Sequence, residues 1–256
     1  MGGSRMWAKP AGITPERLHS RVLRQTWQLV SEEATAALAA GLASVLRPGD
    51  VVALQGELGA GKTTFTRGLA AALGADAGLV SSPTFVFVHV YPVGGNRSES
   101  IVQKKGAESG PPIRRLVHVD AYRLTSDEDL EGLGWDQLFD SHTKQAASDA
   151  VALVEWPERI ASKLPEPSAM ATLRIRHLRE GVRAIEGTFP DAWATRPLME
   201  LFLGRPPAVC PKTRVWVSPT APTYPFANER ARGSDLFGWL TEGYSLPRAI
   251  KPEDEE

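Results

Sequence analysis

The chain has 256 residues, of which 42% are hydrophobic and 23% are charged, an ordinary composition for a soluble globular protein. A formal net charge of −1 means that overall electrostatic attraction will not draw the chain onto nucleic acid or an anionic membrane. The one cysteine excludes a disulfide framework and a cysteine-rich zinc site, and no stretch has the length and apolarity of a membrane span.

The first predicted elements are a strand over residues 21–30 and a helix that follows it. Ser31 is a good N-cap, and Glu32 and Glu33 place negative charge in the first turn, where the helix dipole favours it. Four apolar residues then repeat on one helical face: Leu38, Leu42, Val45 and Leu46. The turn at 47–49, with its proline and glycine, ends this helix.

The stretch GELGAGKTT at 56–64 lies between an apolar strand at 51–55 and a helix predicted over 62–73. It fits G-x-x-x-x-G-K-[ST], the phosphate-binding P-loop. Glycines let the backbone turn its N–H groups inward, and the helix N-terminus adds the positive end of its dipole. Lys62 supplies a cation to the β- and γ-phosphates, and Thr63 supplies a hydroxyl to Mg²⁺. A chance glycine-rich turn is the poorer interpretation, because strand and helix flank the loop as the motif requires.

Five more strands are predicted before the C-terminal extension. They run over 84–91, 115–121 and 150–156, followed by a hairpin of 170–178 with 182–189. A short helix is predicted within 126–140, and Pro157 suits the first position of another. The polar segment at 94–114 indicates a flexible inserted loop with an excess of Lys and Arg. This excess suits a solvated loop, or contact with an acidic partner or RNA.

Two carboxylates are candidates for the metal that accompanies a nucleotide. Mg²⁺ needs at least one carboxylate besides the threonine. Asp120 ends LVHVD and Glu155 ends AVALVE, so both should emerge at the carboxyl edge of the sheet, where ligands bind in open α/β folds. Each acid could instead cap a helix or form a turn, and for Glu155 the nearby Pro157 favours that alternative. We favour a shared nucleotide site.

The choice of nucleotide and reaction is narrowed by what the sequence lacks. No N-K-x-D guanine motif follows a strand, so ATP is favoured over GTP. A free-standing small-molecule kinase remains an alternative. Arg114, Arg115 and Arg123 could serve its lid, but surface arginines are common and do not indicate one.

Four blocks in order resemble the TsaE (YjeE) family of P-loop ATPases in tRNA threonylcarbamoyladenosine biosynthesis. The blocks are EATAALAAGLASVLRPGDVVALQGELGAGKTTFTRGLAAALG, SSPTFVFVHVY, HVDAYRL with EDLEGLGWDQLF, and ALVEWPERI. Together they extend from about Gln28 to Phe189. The resemblance implies an α/β P-loop NTPase-like mixed β-sheet flanked by helices.

The resemblance also implies roles for individual residues. Those that would hold the ATP phosphates are Gly59, Ala60, Gly61, Lys62, Thr63 and Thr64. Thr63 and Glu155 would ligate Mg²⁺, and Asp120 matches the family's Walker-B-like acid, which is needed for hydrolysis. Thr84, in the segment Ser82-Pro83-Thr84, would sense the γ-phosphate, and Trp156 would lie beside the site.

The resemblance also implies that the chain acts together with partner proteins. TsaE-like proteins bind the TsaB–TsaD pair, which modifies adenosine 37 of tRNAs that read ANN codons, and ATP hydrolysis resets that assembly. We therefore expect a Mg-dependent ATPase, weak without its partners, that meets tRNA only through the complex. We expect no binding to DNA or membranes. The first residues lack the apolar core of a secretion signal, so we also expect a cytoplasmic protein.

Two segments depart from the family pattern. The loop at 94–114 is longer than the usual short turn, and a Pro-rich C-terminal extension occupies 191–256, after a TsaE-like domain at 21–190. Aromatic residues recur in the extension, which favours irregular structure folded onto the core over free disorder. The extension could also be a binding module that tethers the ATPase elsewhere.

Overall fold

The computed structural model describes residues 22–80, 88–94, 112–124, 130, 134–140 and 142–241. Seven strands form the main sheet: β1 (Val22–Leu29), β2 (Val51–Gln55), β3 (Val88–Pro92), β4 (Arg115–Asp120), β5 (Ala150–Glu155), β6 (Ala171–Arg179) and β7 (Val182–Pro190). Their spatial order is β1-β7-β6-β2-β5-β4-β3. Strands β2, β4, β5 and β6 run parallel. The sheet is mixed, because β3 pairs antiparallel with β4, and β7 pairs antiparallel with both β6 and β1.

Two helices cover one face of this sheet, α1 (Glu32–Ala43) and α2 (Lys62–Leu73). The predicted cap of α1 is confirmed, since the Ser31 side chain accepts a hydrogen bond from the Ala34 N–H at 3.1 Å. Gly74 ends α2 in a left-handed conformation, as predicted. Leucines of both helices share one buried cluster with Leu54 and other apolar residues of the strands. The predicted α/β class is therefore confirmed.

The opposite face is covered by shorter segments. These are the one-turn helix α3 (Trp135–Leu138) and a 3₁₀ helix over Pro157–Lys163. The helix predicted from Pro157 is thus not an α-helix. Ile160 interrupts it with a non-helical φ of −131°, and its side chain is fully buried in the second apolar cluster.

Within the described residues 191–241, the first part of the C-terminal extension packs on the core, as its aromatic residues predict, but the extension is not wholly irregular. After a 3₁₀ helix over Asp191–Thr195, it contains α4 (Met199–Gly204), β8 (Ala208–Val209), β9 (Trp216–Val217) and α5 (Glu229–Thr241). Trp193, Met199 and Phe202 are buried in the same cluster as α1 and α2. The division of the chain at 190/191 stays a prediction, although β7 does end at Pro190.

Arg196 ties the extension to the start of β2. Its guanidinium nitrogens lie 2.5 and 2.8 Å from the two carboxylate oxygens of Asp50, and Nη1 also donates to the Val45 carbonyl at 3.1 Å. The guanidinium carbon lies 3.8 Å from the ring centroid of Trp193. This ion pair, whose side chains are each 10% exposed, joins the residue just before the P-loop strand to the segment after β7.

Several predicted features lie outside the described residues. They are Ser82, Pro83 and Thr84, residues 95–111 of the inserted loop, and parts of the segment at 126–140. Across the part of the chain that the structure does describe, no helix combines the length and apolarity that a bilayer crossing requires.

Candidate nucleotide-binding site

The P-loop occupies the connection between β2 and α2, as the sequence predicts. Gly56, Gly59 and Gly61 have φ values of 151°, 75° and 107°, which L side chains rarely adopt. A Cβ atom on Gly56 would lie 2.5 Å from the Ile175 carbonyl oxygen, so the loop passes too close to β6 for any other residue there. The N-cap of α2 is Gly61, which has no side chain to cap the helix, in contrast to Ser31 at α1. The first-turn N–H groups of α2 therefore remain available to an anion.

Lys62 is folded back over the P-loop. Its side chain is buried, with 5% exposure, and Nζ donates to the carbonyls of Gly56 and Glu57 at 2.9 Å each. The ammonium also lies 4.1 Å from the ring centroid of Trp156, a favourable cation–π contact. Burial lowers the pKa of Lys62, while the charges of Glu155 and Asp120 act in the opposite direction.

Glu155 receives three contacts at one oxygen. Its Oε1 lies 3.0 Å from Thr66 Oγ1, 3.0 Å from His118 Nε2 and 3.5 Å from Thr63 Oγ1. The carboxylate is almost fully buried, with 2% exposure, at the end of a strand that is buried throughout. The first two turns of α2 are therefore joined to the end of β5, with Thr63 beside the acid predicted to share the metal.

Asp120 lies beside Glu155 at the same edge, as the register partner of Glu155 in the parallel pair β4–β5. It is 8% exposed, and its Oδ1 accepts the Tyr122 N–H at 3.0 Å. Burial raises the pKa of Asp120. The Tyr122 hydrogen bond lowers it, and the nearby charge of Glu155 adds to the rise.

These groups suit a nucleotide with Mg²⁺ and do not by themselves form a metal cage. Within the described ranges, no cluster of three or more His, Cys, Asp or Glu side chains could hold a metal ion. Mg²⁺ is usually held by one or two carboxylates together with substrate phosphates, and the threonine hydroxyl and two carboxylates here are hard oxygen donors of that kind. The predicted phosphate-binding residues Gly59 to Thr64 all lie in the loop and the first turn of α2.

The family resemblance places the turn near Arg183 by the adenine, but it did not predict the contacts that the hairpin β6–β7 makes with the P-loop backbone. His177 Nε2 lies 3.0 Å from the Gly59 carbonyl, and Arg183 Nε donates to the Ala60 carbonyl at 3.0 Å. Both side chains hold the backbone of the P-loop from a segment more than a hundred residues away in sequence. No local pattern in the sequence could reveal such a long-range contact.

Comparison with known proteins decides the family. A family model described as "Threonylcarbamoyl adenosine biosynthesis protein TsaE" matches residues 29–185. The chain belongs to the TsaE family. The match contains the P-loop and both carboxylates, and it ends before the C-terminal extension. It confirms the resemblance that the four sequence blocks carry.

Curated members of the TsaE family support the assignment. A tRNA threonylcarbamoyladenosine biosynthesis protein TsaE from Streptomyces coelicolor is 46% identical over 125 residues, which cover 49% of this chain and 68% of that protein. A Bacillus subtilis protein of the same name is 36% identical over 140 residues, covering 55% of this chain and 71% of its own. The Treponema pallidum TsaE is also 36% identical, over 55% of this chain and 83% of its own.

A solved structure gives a weaker match. The crystal structure of YdiB from Bacillus subtilis is 30% identical, with a TM-score of 0.44, over 66% of this chain and 87% of that one. At that TM-score the likeness adds nothing to the TsaE assignment, which depends on the sequence match.

Proposed function

We propose that this TsaE-family chain is a Mg-dependent ATPase that serves tRNA threonylcarbamoyladenosine biosynthesis. The observation that supports it most is the convergence of Thr63, Asp120 and Glu155 at the edge where α2 begins. Thr63 Oγ1 is 3.5 Å from Glu155 Oε1, and Asp120 is the register partner of Glu155.

Each residue of the site has a distinct task in this proposal. The N–H groups from Gly59 to Thr64 bind the phosphates. The Lys62 ammonium, which donates to loop carbonyls here, donates to a phosphate oxygen when the nucleotide is bound. Thr63 and Glu155 hold Mg²⁺, which neutralises phosphate charge when bound. Asp120 orients the attacking water, since its carboxylate oxygens can accept the protons of that water.

Thr84 is proposed as the sensor of the γ-phosphate. It lies outside the described residues, so its role depends on the match of SPTF to the family pattern. Nucleotide binding without hydrolysis in Thr84→Ala would support this role.

The proposed partners are a TsaB–TsaD-like pair, and the chain meets tRNA only through them. ATP hydrolysis resets the assembly between turnovers and does not transfer the threonylcarbamoyl group. We also propose that this takes place in the cytoplasm, where tRNA is modified.

The proposal is tested by mixing the purified chain with TsaB and TsaD from one organism. Pull-downs with ATP, with ADP and without nucleotide should show association that depends on ATP. Phosphate release should rise when the partners are added, and Lys62→Ala should abolish the rise. Absence of nucleotide-dependent association would contradict the proposal. Transfer of phosphate to a soluble acceptor without partners would instead support a small-molecule kinase.

A further inference from the structure

His118 is a buried histidine that sequence reasoning did not single out. It lies on β4, two residues before Asp120, and its side chain is fully buried. A lone histidine in an apolar strand is usually a core residue. This one, however, has Nε2 3.0 Å from Oε1 of Glu155, an acid of the proposed magnesium site.

The two ring nitrogens of His118 differ in their surroundings. Nδ1 has no hydrogen-bond partner within the described part of the chain, and the Tyr91 ring stacks on the imidazole at 6.4 Å between centroids. A proton on Nδ1 would be a buried donor without an acceptor, which proteins avoid. A proton on Nε2 faces a carboxylate, which can only accept. Both ends of the ring therefore favour the tautomer in which Nε2–H donates to Glu155.

The other two donors to Glu155 are either shared with a second acceptor or more distant. Thr66 Oγ1 lies 3.0 Å from Glu155 Oε1 and also 3.0 Å from the Lys62 carbonyl, so its one proton serves two acceptors. Thr63 Oγ1 is more distant, at 3.5 Å. His118 is thus the donor whose proton is directed at Oε1 alone.

These contacts leave the second oxygen of Glu155 in a different situation. All three end on Oε1, and Oε2 makes no hydrogen bond among the residues that the structure describes. We propose that His118 is a positioning residue, which engages Oε1 so that Oε2 is kept for the cation that accompanies the nucleotide. This inference rests on the proposed function, and His118 acts through Glu155.

The test compares three variants by their response to Mg²⁺. His118→Leu removes the donor at similar size, and His118→Gln restores an N–H close to the position of Nε2. Leu116→Ala is the matched control, because Leu116 is fully buried on the same face of β4 but belongs to the core. The measurement is the affinity for a fluorescent ATP analogue, in EDTA and across a Mg²⁺ titration.

His118→Leu should raise the Mg²⁺ concentration for half-maximal effect about 10- to 100-fold, the usual effect of losing a residue that orients a metal ligand. Its affinity in EDTA should not change, since the P-loop still binds phosphate. His118→Gln should recover most of the Mg²⁺ response. Leu116→Ala should lose stability but keep that response, which separates positioning from a structural role.

Two results would overturn the inference. The first is that His118→Leu binds nucleotide and responds to Mg²⁺ as the wild-type chain does. That result would leave the proposed function intact. A wild-type chain that binds no nucleotide would contradict the proposed function itself, and the inference with it. The second is a ¹⁵N NMR spectrum of wild-type His118 that shows Nε2 without a proton, because Nε2 then cannot donate to Glu155. That spectrum needs neither nucleotide nor a variant, so it decides the matter even if His118→Leu does not fold.

Discussion

Asp120 and Glu155 lie opposite each other, in register, at the carboxyl ends of the adjacent parallel strands β4 and β5. Both acids are buried, and the charges of both act on Lys62 at the start of α2. Burying ionisable groups is costly even when they are partly paired. Such an arrangement is better explained by function than by stability, as is common where activity and stability compete.

Lys62→Ala should reduce ATP hydrolysis by at least about 100-fold, because it removes a preorganised cation from the developing negative charge. The fold should survive, since burial already disfavours the charged form of this lysine. Phosphate release with partners and thermal unfolding are the measurements. Lys212→Ala, in the extension, is the control and should retain activity. Normal hydrolysis by Lys62→Ala would remove Lys62 from the mechanism.

Asp120→Asn should bind the nucleotide but hydrolyse it at least about 100-fold more slowly, the scale of losing one group that acts in the transition state. The Asn amide keeps a side-chain oxygen that can accept a hydrogen bond from the Tyr122 N–H. Its NH₂ group cannot accept, so the amide is a poorer acceptor than a carboxylate for the protons of the attacking water. Single-turnover hydrolysis and nucleotide affinity separate the two effects. An Asp120→Asn chain that hydrolyses ATP at the wild-type rate would show that another group orients the water.

The same Asp120→Asn substitution should stabilise the protein at neutral pH. Burial raises the pKa of Asp120 in the folded chain above its unfolded value of about 3.9. Folding therefore takes up a proton between these two pKa values, and stability is lost as pH rises through that window. Above the window the variant should have the higher Tm, and the difference should shrink as pH falls toward the unfolded pKa.

Thermal unfolding at several pH values measures this effect. Asp191→Asn, at an exposed acid of the extension, is the control and should shift Tm little. A lower Tm for Asp120→Asn than for wild type at pH 7 would contradict the direction of the pKa shift.

Gly56→Ala and Gly59→Ala should differ in cost, although both glycines have positive φ. At Gly59 nothing lies within 4 Å of an added Cβ, so only backbone strain of about 1–2 kcal/mol is expected. At Gly56 the added atom would be 2.5 Å from the Ile175 carbonyl oxygen, and backbone must move. Denaturant unfolding and nucleotide affinity should both show the larger loss for Gly56→Ala. Equal losses would mean that the contact between the P-loop and β6 is not rigid.

Phe202→Ala should destabilise the protein by about 3–5 kcal/mol, the usual cost of removing a buried phenylalanine. The Phe202 ring lies in the main core, where a Cβ atom on Gly41 of α1 would be 3.0 Å from it. Phe237→Ala is the control, because Phe237 is 68% exposed and should change the free energy of unfolding by about 0.5 kcal/mol or less. Similar small effects for both would mean that the extension does not stabilise the core.

The sequence was informative wherever a signal is local. Caps and periodicity located α1 and α2, and the motif located the P-loop with its flanking strand and helix. Strand-terminal acids were found because chain direction alone brings the ends of parallel strands to one edge. These features depend on neighbouring residues, which a single sequence displays.

What was missed depends on contacts between distant parts of the chain. His118 looks like one residue of an apolar strand, and only its distance to Glu155 shows otherwise. Thr66 occupies an ordinary helical position until β5 is placed beside it. The 3₁₀ form of the segment after Trp156 was missed because packing of Ile160 overrides the start signal that Pro157 gives.

The ion pair between Arg196 and Asp50 has a consequence for how this protein can evolve. The side chains of Asp50 and Arg196 are each 10% exposed, and loss of either partner leaves a mostly shielded charge without compensation at the start of the P-loop strand. A truncation that removes residues from 195 onward would also expose the apolar surface that Met199 and Phe202 cover. Loss of the extension should therefore be tolerated only together with replacement of Asp50 and of the apolar surface that the loss uncovers.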